Sequence, residues 1–159
     1  MFNKSFTVYP MPNKKGFTLI ELLVVIGILA VLLTIVLIAI NPARQFSQSN
    51  NTKRASDVNA ILNAVDQFAA DNRGTLPAGI TAVVQNISDT GANICDDVVD
   101  DYMAALPVDP LTNNGAAVTD CAVVGGYDTN YTILRSAANN RITVAAPAAE
   151  LGQVISVTR

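Results

Sequence analysis

The chain has 159 residues, a formal net charge of −3, no histidine and no tryptophan, and half of its residues are hydrophobic. The length is sufficient for one domain and an additional segment. The absence of histidine excludes a histidine-based catalytic triad and a histidine zinc site, and the acidic balance argues against a general DNA-binding surface.

Residues 1–16 are predicted to be a leader peptide that is removed from the mature fold. They contain Lys4, Lys14 and Lys15 and no acidic residue, so the remaining chain has a net charge of −6. The prolines of Tyr9-Pro10-Met11-Pro12 are incompatible with a regular helix.

An apolar stretch follows from Phe17 to Ile40, and its one charged residue is Glu21. A helix of this length spans roughly 36 Å, which exceeds the hydrocarbon core of a bilayer at about 30 Å. Lys14 and Lys15 precede the stretch, so the positive-inside rule places this end in the cytoplasm. We therefore predict a transmembrane helix over 17–40, with the rest of the chain on the far side of the membrane.

Glu21 is unusual because a carboxylate in hydrocarbon costs a few kcal/mol and such groups usually have partners. One interpretation is that the side chain reaches back to the headgroups. The other is that it has a partner of opposite charge, because an unpaired carboxylate among apolar groups is costly.

The segment Gly16-Phe17-Thr18-Leu19-Ile20-Glu21, between a basic leader and an apolar helix, resembles the N-terminal signature of the type IV pilin and pseudopilin family. This resemblance implies that a prepilin peptidase cuts between Gly16 and Phe17 and methylates the new amino terminus of Phe17. It also implies that Glu21 contacts that amine on a neighbouring subunit. The implied product is a homo-oligomeric helical filament, built by an inner-membrane assembly machinery.

Asn41-Pro42 closes the apolar stretch, because proline inside a helix removes a hydrogen bond. We favour a kink or short break followed by renewed helix, the alternative being that Asn41 caps a new helix with Pro42 at its first position. Apolar residues then recur at three- and four-residue steps, as on one face of a helix: Val58, Ile61, Leu62, Val65, Phe68 and Ala69.

We predict an amphipathic helical half over 41–73. Its end is expected in Asp71-Asn72-Arg73-Gly74, with Gly74 as the left-handed C′ residue. An unbroken helix from Phe17 to Arg73 would be roughly 85 Å long. Its basic residues Arg44, Lys53 and Arg54 are interpreted as a solvated face, in preference to contacts with nucleic acid or with acidic groups of neighbouring subunits.

The remainder, 74–159, is predicted to be a globular head. Its first part is rich in loops, with a short element at Val83–Ile87 and a short helix at Asp96–Ala105. Leu106-Pro107-Val108-Asp109-Pro110 resembles a Leu-Pro-x-Asp-Pro segment of major pseudopilins.

Seven aspartates in this part could form a calcium site or a solvated acidic face. They are Asp96, Asp97, Asp100, Asp101, Asp109, Asp120 and Asp128. Their spacing does not match an EF-hand loop, and the residues after Pro110 depart from the calcium-binding pseudopilins. We therefore favour the solvated face and assign no metal ligands.

Cys95 and Cys121 both lie in the predicted exported part, where an oxidising compartment favours their pairing. A metal site would need more ligands, and a nucleophilic cysteine would lack a histidine base. We expect a disulfide that closes a loop of about 25 residues.

Three segments with alternating apolar residues predict strands at Tyr127–Arg135, Arg141–Ala145 and Val154–Thr158. The tyrosines Tyr102, Tyr127 and Tyr131 are interpreted as core or sheet residues. The predicted class is α+β: a long N-terminal helix, transmembrane in its first half, packed on a small antiparallel sheet. The resemblance to pilins implies the same architecture.

Two classes of function compete. The first is a structural subunit of a type IV pilus or pilus-like filament, with a major-type pseudopilin of a type II secretion system as its alternative. The second is a membrane-tethered binding or enzymatic domain. Under the first, we expect no enzymatic activity and no cofactor, and the sequence establishes no nucleic-acid partner. We expect a single-pass inner-membrane protein, with lipid as its partner before assembly and a cell-surface or periplasmic filament afterwards.

Overall fold

A computed structural model describes residues 16–159, and the predicted leader lies outside these residues except for Gly16. The chain divides into two compact units between Asn41 and Pro42. The helices are α1 (Leu19–Ile40), α2 (Pro42–Asp71) and the short α3 (Cys95–Val98), and the strands are β1 (Gln85–Ser88), β2 (Asp128–Arg135), β3 (Ile142–Ala146) and β4 (Ile155–Thr158).

Helix α1 forms the first unit. Its 22 residues are apolar on every face and none of its side chains is buried. By length and composition it is able to cross a membrane. The helix begins at Leu19 because Thr18 has an extended backbone and its hydroxyl caps the first turn.

The helical conformation is interrupted between α1 and α2 at Asn41, whose backbone is left-handed (φ 46°, ψ 79°). Asparagine enters this region more readily than most residues. Pro42 then starts α2, a position where its missing N–H has no helical partner to lose. The chain therefore makes the expected short break followed by renewed helix, and an unbroken helix from Phe17 to Arg73 is not formed.

The left-handed residue that caps the C-terminal end of α2 lies one position earlier in the chain than expected. The Gly74 N–H donates to the Ala69 carbonyl at 2.7 Å, which is the six-residue closure of a Schellman motif. That geometry makes Arg73, at φ 57°, the left-handed C′ residue, and Gly74 follows it as C″. The prediction of Gly74 at C′ was wrong by one position.

The second unit, Pro42–Arg159, includes α2 and is called the head from here on. It contains a four-stranded antiparallel sheet in the order β1-β2-β3-β4. The three predicted strands are present within a residue of their expected bounds, as β2, β3 and β4. Strand β1 adds a fourth, pairing Gln85 with Ile133 and Ser88 with Asp128. The three-stranded prediction was therefore one strand short, because the segment around Val83–Ile87 alternates too briefly to be recognised without its partner strand.

The core of the head lies between α2 and the sheet. The predicted apolar face of α2 is buried through Val58, Ile61, Leu62 and Val65. In β2 and β3, buried and partly exposed residues alternate along the strand, so one face of the sheet covers the helix. The α+β architecture is thus confirmed.

Helix α3 is shorter than the predicted helix at Asp96–Ala105. Its C-cap Val99 is extended, and Asp100 is left-handed with φ 72°, so the chain turns away after one helical turn. Tyr102 lies beyond this turn, with its ring against Phe68 at a centroid distance of 5.9 Å. The three tyrosines lie in or beside the core, as predicted.

Candidate functional site

The N-terminal end of α1 is closed by a reciprocal capping box. The Glu21 N–H donates to the Thr18 hydroxyl at 3.2 Å, and the Thr18 N–H donates to the Glu21 carboxylate at 3.4 Å. Both bonds satisfy backbone donors that the first turn of a helix leaves without partners. The structure therefore gives Glu21 a local role as a cap.

This capping role escaped the sequence analysis, although Thr18-Leu19-Ile20-Glu21 has the spacing of a capping box. A carboxylate has about four lone-pair positions. Capping one N–H is therefore compatible with an additional bond to an ammonium group. The predicted pairing of Glu21 with the amine of Phe17 remains a prediction.

Gly16 and Phe17 lie at the same end of α1 as Glu21, and both are exposed. Among the described residues, a Cβ atom built on Gly16 would meet no atom within 4 Å. Packing within residues 16–159 therefore does not explain a glycine at this position.

The surface of α1 beyond its cap is apolar on all sides. Its one hydroxyl in mid-helix, Thr34, donates to the Ala30 carbonyl at 2.9 Å and is thereby satisfied within the helix. Gly27 lies in a shallow groove lined also by Leu23, Val24, Ile28, Val31 and Leu32. An apolar surface of this extent indicates contact with lipid or with other protein.

The most extensive polar cluster of the head is centred on Arg54, whose side chain is fully buried. Its Nε donates to the buried Asp109 carboxylate at 2.6 Å, and its Nη1 donates to Glu150 at 2.8 Å. Nη1 also donates to the Asn51 side chain at 2.9 Å. The cluster thus ties α2 to the loop before β2 and to the β3–β4 loop.

Arg54 and Asp109 are therefore not the solvated residues that the sequence analysis expected. The sequence did contain an indication that Arg54 is buried, because Arg54 lies four residues before Val58 and so shares the apolar face of α2. Buried charges need ion pairing and hydrogen bonds, and Asp109 supplies both. Lys53, its exposed neighbour, donates to the Gly115 carbonyl at 3.4 Å.

The charges of the cluster stabilise one another. The hydrogen bond to Asp109 raises the pKa of Arg54 despite burial. Hydrogen bonds from Arg54, Asn50 and Ser47 lower the pKa of Glu150 to about 2. Arg54 and Glu150 are consequently both ionised at neutral pH.

A partly buried polar contact joins α2 to β2. The Tyr131 hydroxyl donates to Asp57 at 2.8 Å. Burial, followed by this bond, raises the pKa of Tyr131, and burial also raises the pKa of Asp57. The phenol therefore stays protonated as the donor.

Cys95 and Cys121 form the predicted disulfide. It attaches α3 to the loop before β2, and both sulfurs are thereby unavailable as nucleophiles. Within residues 16–159, no group of three or more acidic or cysteine side chains is arranged to hold a metal ion. Of the seven aspartates considered above, Asp109 is buried with Arg54, Asp97 is half-buried and the other five are exposed.

Comparison with known proteins gives three matches. Residues 11–37 match a family described as the prokaryotic N-terminal methylation motif. The chain is 31% identical to the type II secretion system core protein G of Escherichia coli (strain K12), over 73% of this chain and 79% of that protein. It is 30% identical to the type IV wide pilus major component PilA4 of Thermus thermophilus, over 56% of this chain and 66% of that protein. No solved structure matches significantly.

An apolar N-terminal helix, a small antiparallel sheet head and the methylation motif together define a protein of the pilin class. The chain belongs to the type IV pilin and pseudopilin family. The members of this family to which it is similar are subunits of a secretion system and of a pilus.

Proposed function

We propose that the protein is a structural subunit of a type IV pilus or pilus-like filament, assembled through α1, and not an enzyme. The observation that carries this proposal is the contrast along α1. None of its side chains is buried, yet its one charged residue, Glu21, lies in the capping box at the N-terminal end of the helix, within the residues that match the methylation motif.

Processing would expose the partner that Glu21 needs. We infer cleavage between Gly16 and Phe17 by a prepilin peptidase, followed by methylation of the Phe17 amine. In a filament core, apolar side chains of adjacent helices would surround Glu21. An amine from a neighbouring subunit would compensate its charge, and the cost of a mismatch would select one register.

Before assembly, the subunit would be a single-pass inner-membrane protein with its head outside the cytoplasm. Its partners would be membrane lipid, the peptidase and an inner-membrane assembly machinery, and then other copies in a cell-surface or periplasmic filament.

The similarity to the secretion core protein favours a second candidate, a major-type pseudopilin. Deletion of the gene separates them: loss of long surface filaments supports a pilin, whereas blocked protein secretion without such filaments supports a pseudopilin.

The decisive variant is Glu21→Ala, expressed in a strain without the wild-type subunit. Breaking a buried pair typically costs about 3–5 kcal/mol, and the cost recurs in every subunit. We expect normal cleavage and membrane insertion but few sheared filaments, with Glu21→Asp partly tolerated.

A matched control is Thr18→Ala, which removes the hydroxyl of the capping box and keeps the carboxylate. If Glu21 acts in assembly, this variant retains most filaments, because losing a cap costs only about 1 kcal/mol. Equal loss of filaments in both variants would assign Glu21 to capping alone. Normal filament numbers with Glu21→Ala would contradict the proposed assembly contact.

A further inference from the structure

The loop between β3 and β4, residues 147–154, is fastened to the first turns of α2. The Glu150 carboxylate accepts hydrogen bonds from Ser47 at 2.8 Å and from Asn50 at 3.0 Å. The Asn51 side chain bonds both the carbonyl and the N–H of Glu150, and it donates to Gln153 at 3.0 Å. The loop is therefore held in one position against α2.

This fixed loop presents apolar side chains to the outside. Val154 is 91% exposed and Leu151 is 50% exposed, and Phe46 on α2 is 71% exposed. Phe46 lies one helical turn before Asn50, on the same side of α2 as the residue that binds Glu150. We call Phe46, Leu151 and Val154 the apolar rim of the head.

The backbone of the loop points to a function for the rim. Leu151 has φ 58°, in the left-handed region that bulky residues avoid, and Gly152 follows with φ 69°. Asparagine or glycine would adopt this conformation with less strain, and an exposed leucine contributes little to the core. Such an outlier supports a hypothesis of function, because the surrounding hydrogen bonds hold the residue there.

Charge does not oppose docking of this rim on an apolar or anionic surface. Glu150 is the one charged residue in 147–154, and its carboxylate is paired with Arg54. The polar groups that fasten the loop are otherwise neutral, although the head carries an excess of aspartate. The loop that carries Leu151 and Val154 is thus an apolar and locally neutral part of an acidic domain.

Covalent connectivity limits how far Phe46 can lie from the last residue of α1. Phe46 follows Ile40 by six residues, which span at most about 20 Å when fully extended. If α1 crosses a membrane, Phe46 stays within that distance of the membrane surface in any orientation of the head.

We propose that the apolar rim docks on the outer interface of the bilayer that α1 spans, holding the head on the membrane before assembly. Partly buried aromatic and aliphatic side chains are typical of such interfacial contacts. This inference rests on the membrane-spanning part of the proposed function.

The chain has no tryptophan, so single introduced tryptophans report depth without background. Full-length Val154→Trp and Phe46→Trp are reconstituted in vesicles of phosphatidylcholine and phosphatidylglycerol whose acyl chains are brominated near the headgroup. Val84→Trp is the matched control, because Val84 is 58% exposed and precedes β1 at the opposite end of the sheet, beside the end of β2. Leu32→Trp in α1 reports the membrane span itself.

We expect both rim tryptophans to lose more than about half of their emission relative to unbrominated vesicles, and Val84→Trp to lose little. Adding Leu151→Asn should reduce the quenching at position 154. Equal quenching at 154 and 84 would overturn the proposal. A blue shift at 154 that grows with protein density, without quenching, would also overturn it and assign the rim to a second copy. Emission from Leu32→Trp at the wavelength typical of tryptophan in water would instead reject the membrane span and, with it, the basis of the proposal.

Discussion

Helix α1 and the head satisfy their polar groups in opposite ways. In α1, Glu21 and Thr18 are three residues apart, and Thr34 bonds a carbonyl four residues before it. In the head, Arg54 bonds carboxylates that are 55 and 96 residues away along the chain. The apolar groups differ likewise, since none of the α1 side chains is buried while one face of α2 is fully buried.

The difference shows where each region finds its partners. The secondary structure of α1 needs only local contacts, and none of the described residues buries its apolar surface. The head is complete within itself, because its helix, sheet and loops bind one another. Substitutions in α1 should therefore change assembly, and substitutions of buried residues in the head should change folding.

The strongest test of this comparison is Arg54→Met. It leaves Asp109 buried without its cation, which typically costs about 3–5 kcal/mol. We expect chemical denaturation of the detergent-solubilised protein, followed by near-ultraviolet circular dichroism, to show a head destabilised by this amount. The helical signal of α1 should persist.

Lys53→Met is its matched control, since Lys53 is the exposed neighbour with one contact to the Gly115 carbonyl. Its effect should remain within about 0.5 kcal/mol. In addition, Asp109→Leu combined with Arg54→Met should recover part of the loss. If Arg54→Met and Lys53→Met lowered the stability of the head equally, the buried cluster would not be what stabilises it.

The next largest effect is expected for Cys95→Ser. Losing a cross-link over a loop of about 25 residues costs roughly 3–4 kcal/mol in the chain-entropy model. Limited proteolysis should detect faster cleavage between Cys95 and Cys121, with α2 still protected. Reduction of the wild-type disulfide should reproduce the pattern, and two reactive thiols in the unreduced native protein would refute the pairing.

A smaller effect concerns pH. Folding lowers the pKa of Glu150 from its ordinary value of 4.5 to about 2, so the folded state favours the ionised form. This contribution is fully present above about pH 4.5 and is lost as the pH falls towards 2. Glu150→Gln should therefore be less stable than wild type at pH 6, and the gap should narrow between pH 4.5 and 2. A constant gap across that range would show that ionisation of Glu150 does not contribute.

The smallest effect is expected for Gly27→Ala in α1. Among the described residues, a Cβ at this position would meet no atom from outside the neighbouring helix backbone within 4 Å, and alanine favours helix more than glycine does. The unfolding midpoint of the head should be unchanged. A shift in that midpoint would show that α1 and the head are not independent in folding.

Patterns within short windows predicted much of this protein correctly. The apolar length of α1, the break at Asn41-Pro42, the apolar spacing of α2 and the alternation of β2 to β4 each depend on residues close in sequence. The disulfide was also foreseen, because only two cysteines are present. The signature from Gly16 to Glu21 indicated the family, although processing and assembly at these residues remain predictions.

The sequence by itself determined the apolar helix, the α+β class and the family, because periodicity and motif spacing are local properties. Only the tertiary structure decided that Arg54 and Asp109 are buried together, that Gln85–Ser88 forms a fourth strand, and that the β3–β4 loop lies on α2. Each of these depends on a partner far away in the chain. A charged residue or a four-residue segment acquires its burial or pairing from that partner, and no local pattern records which partner it will meet.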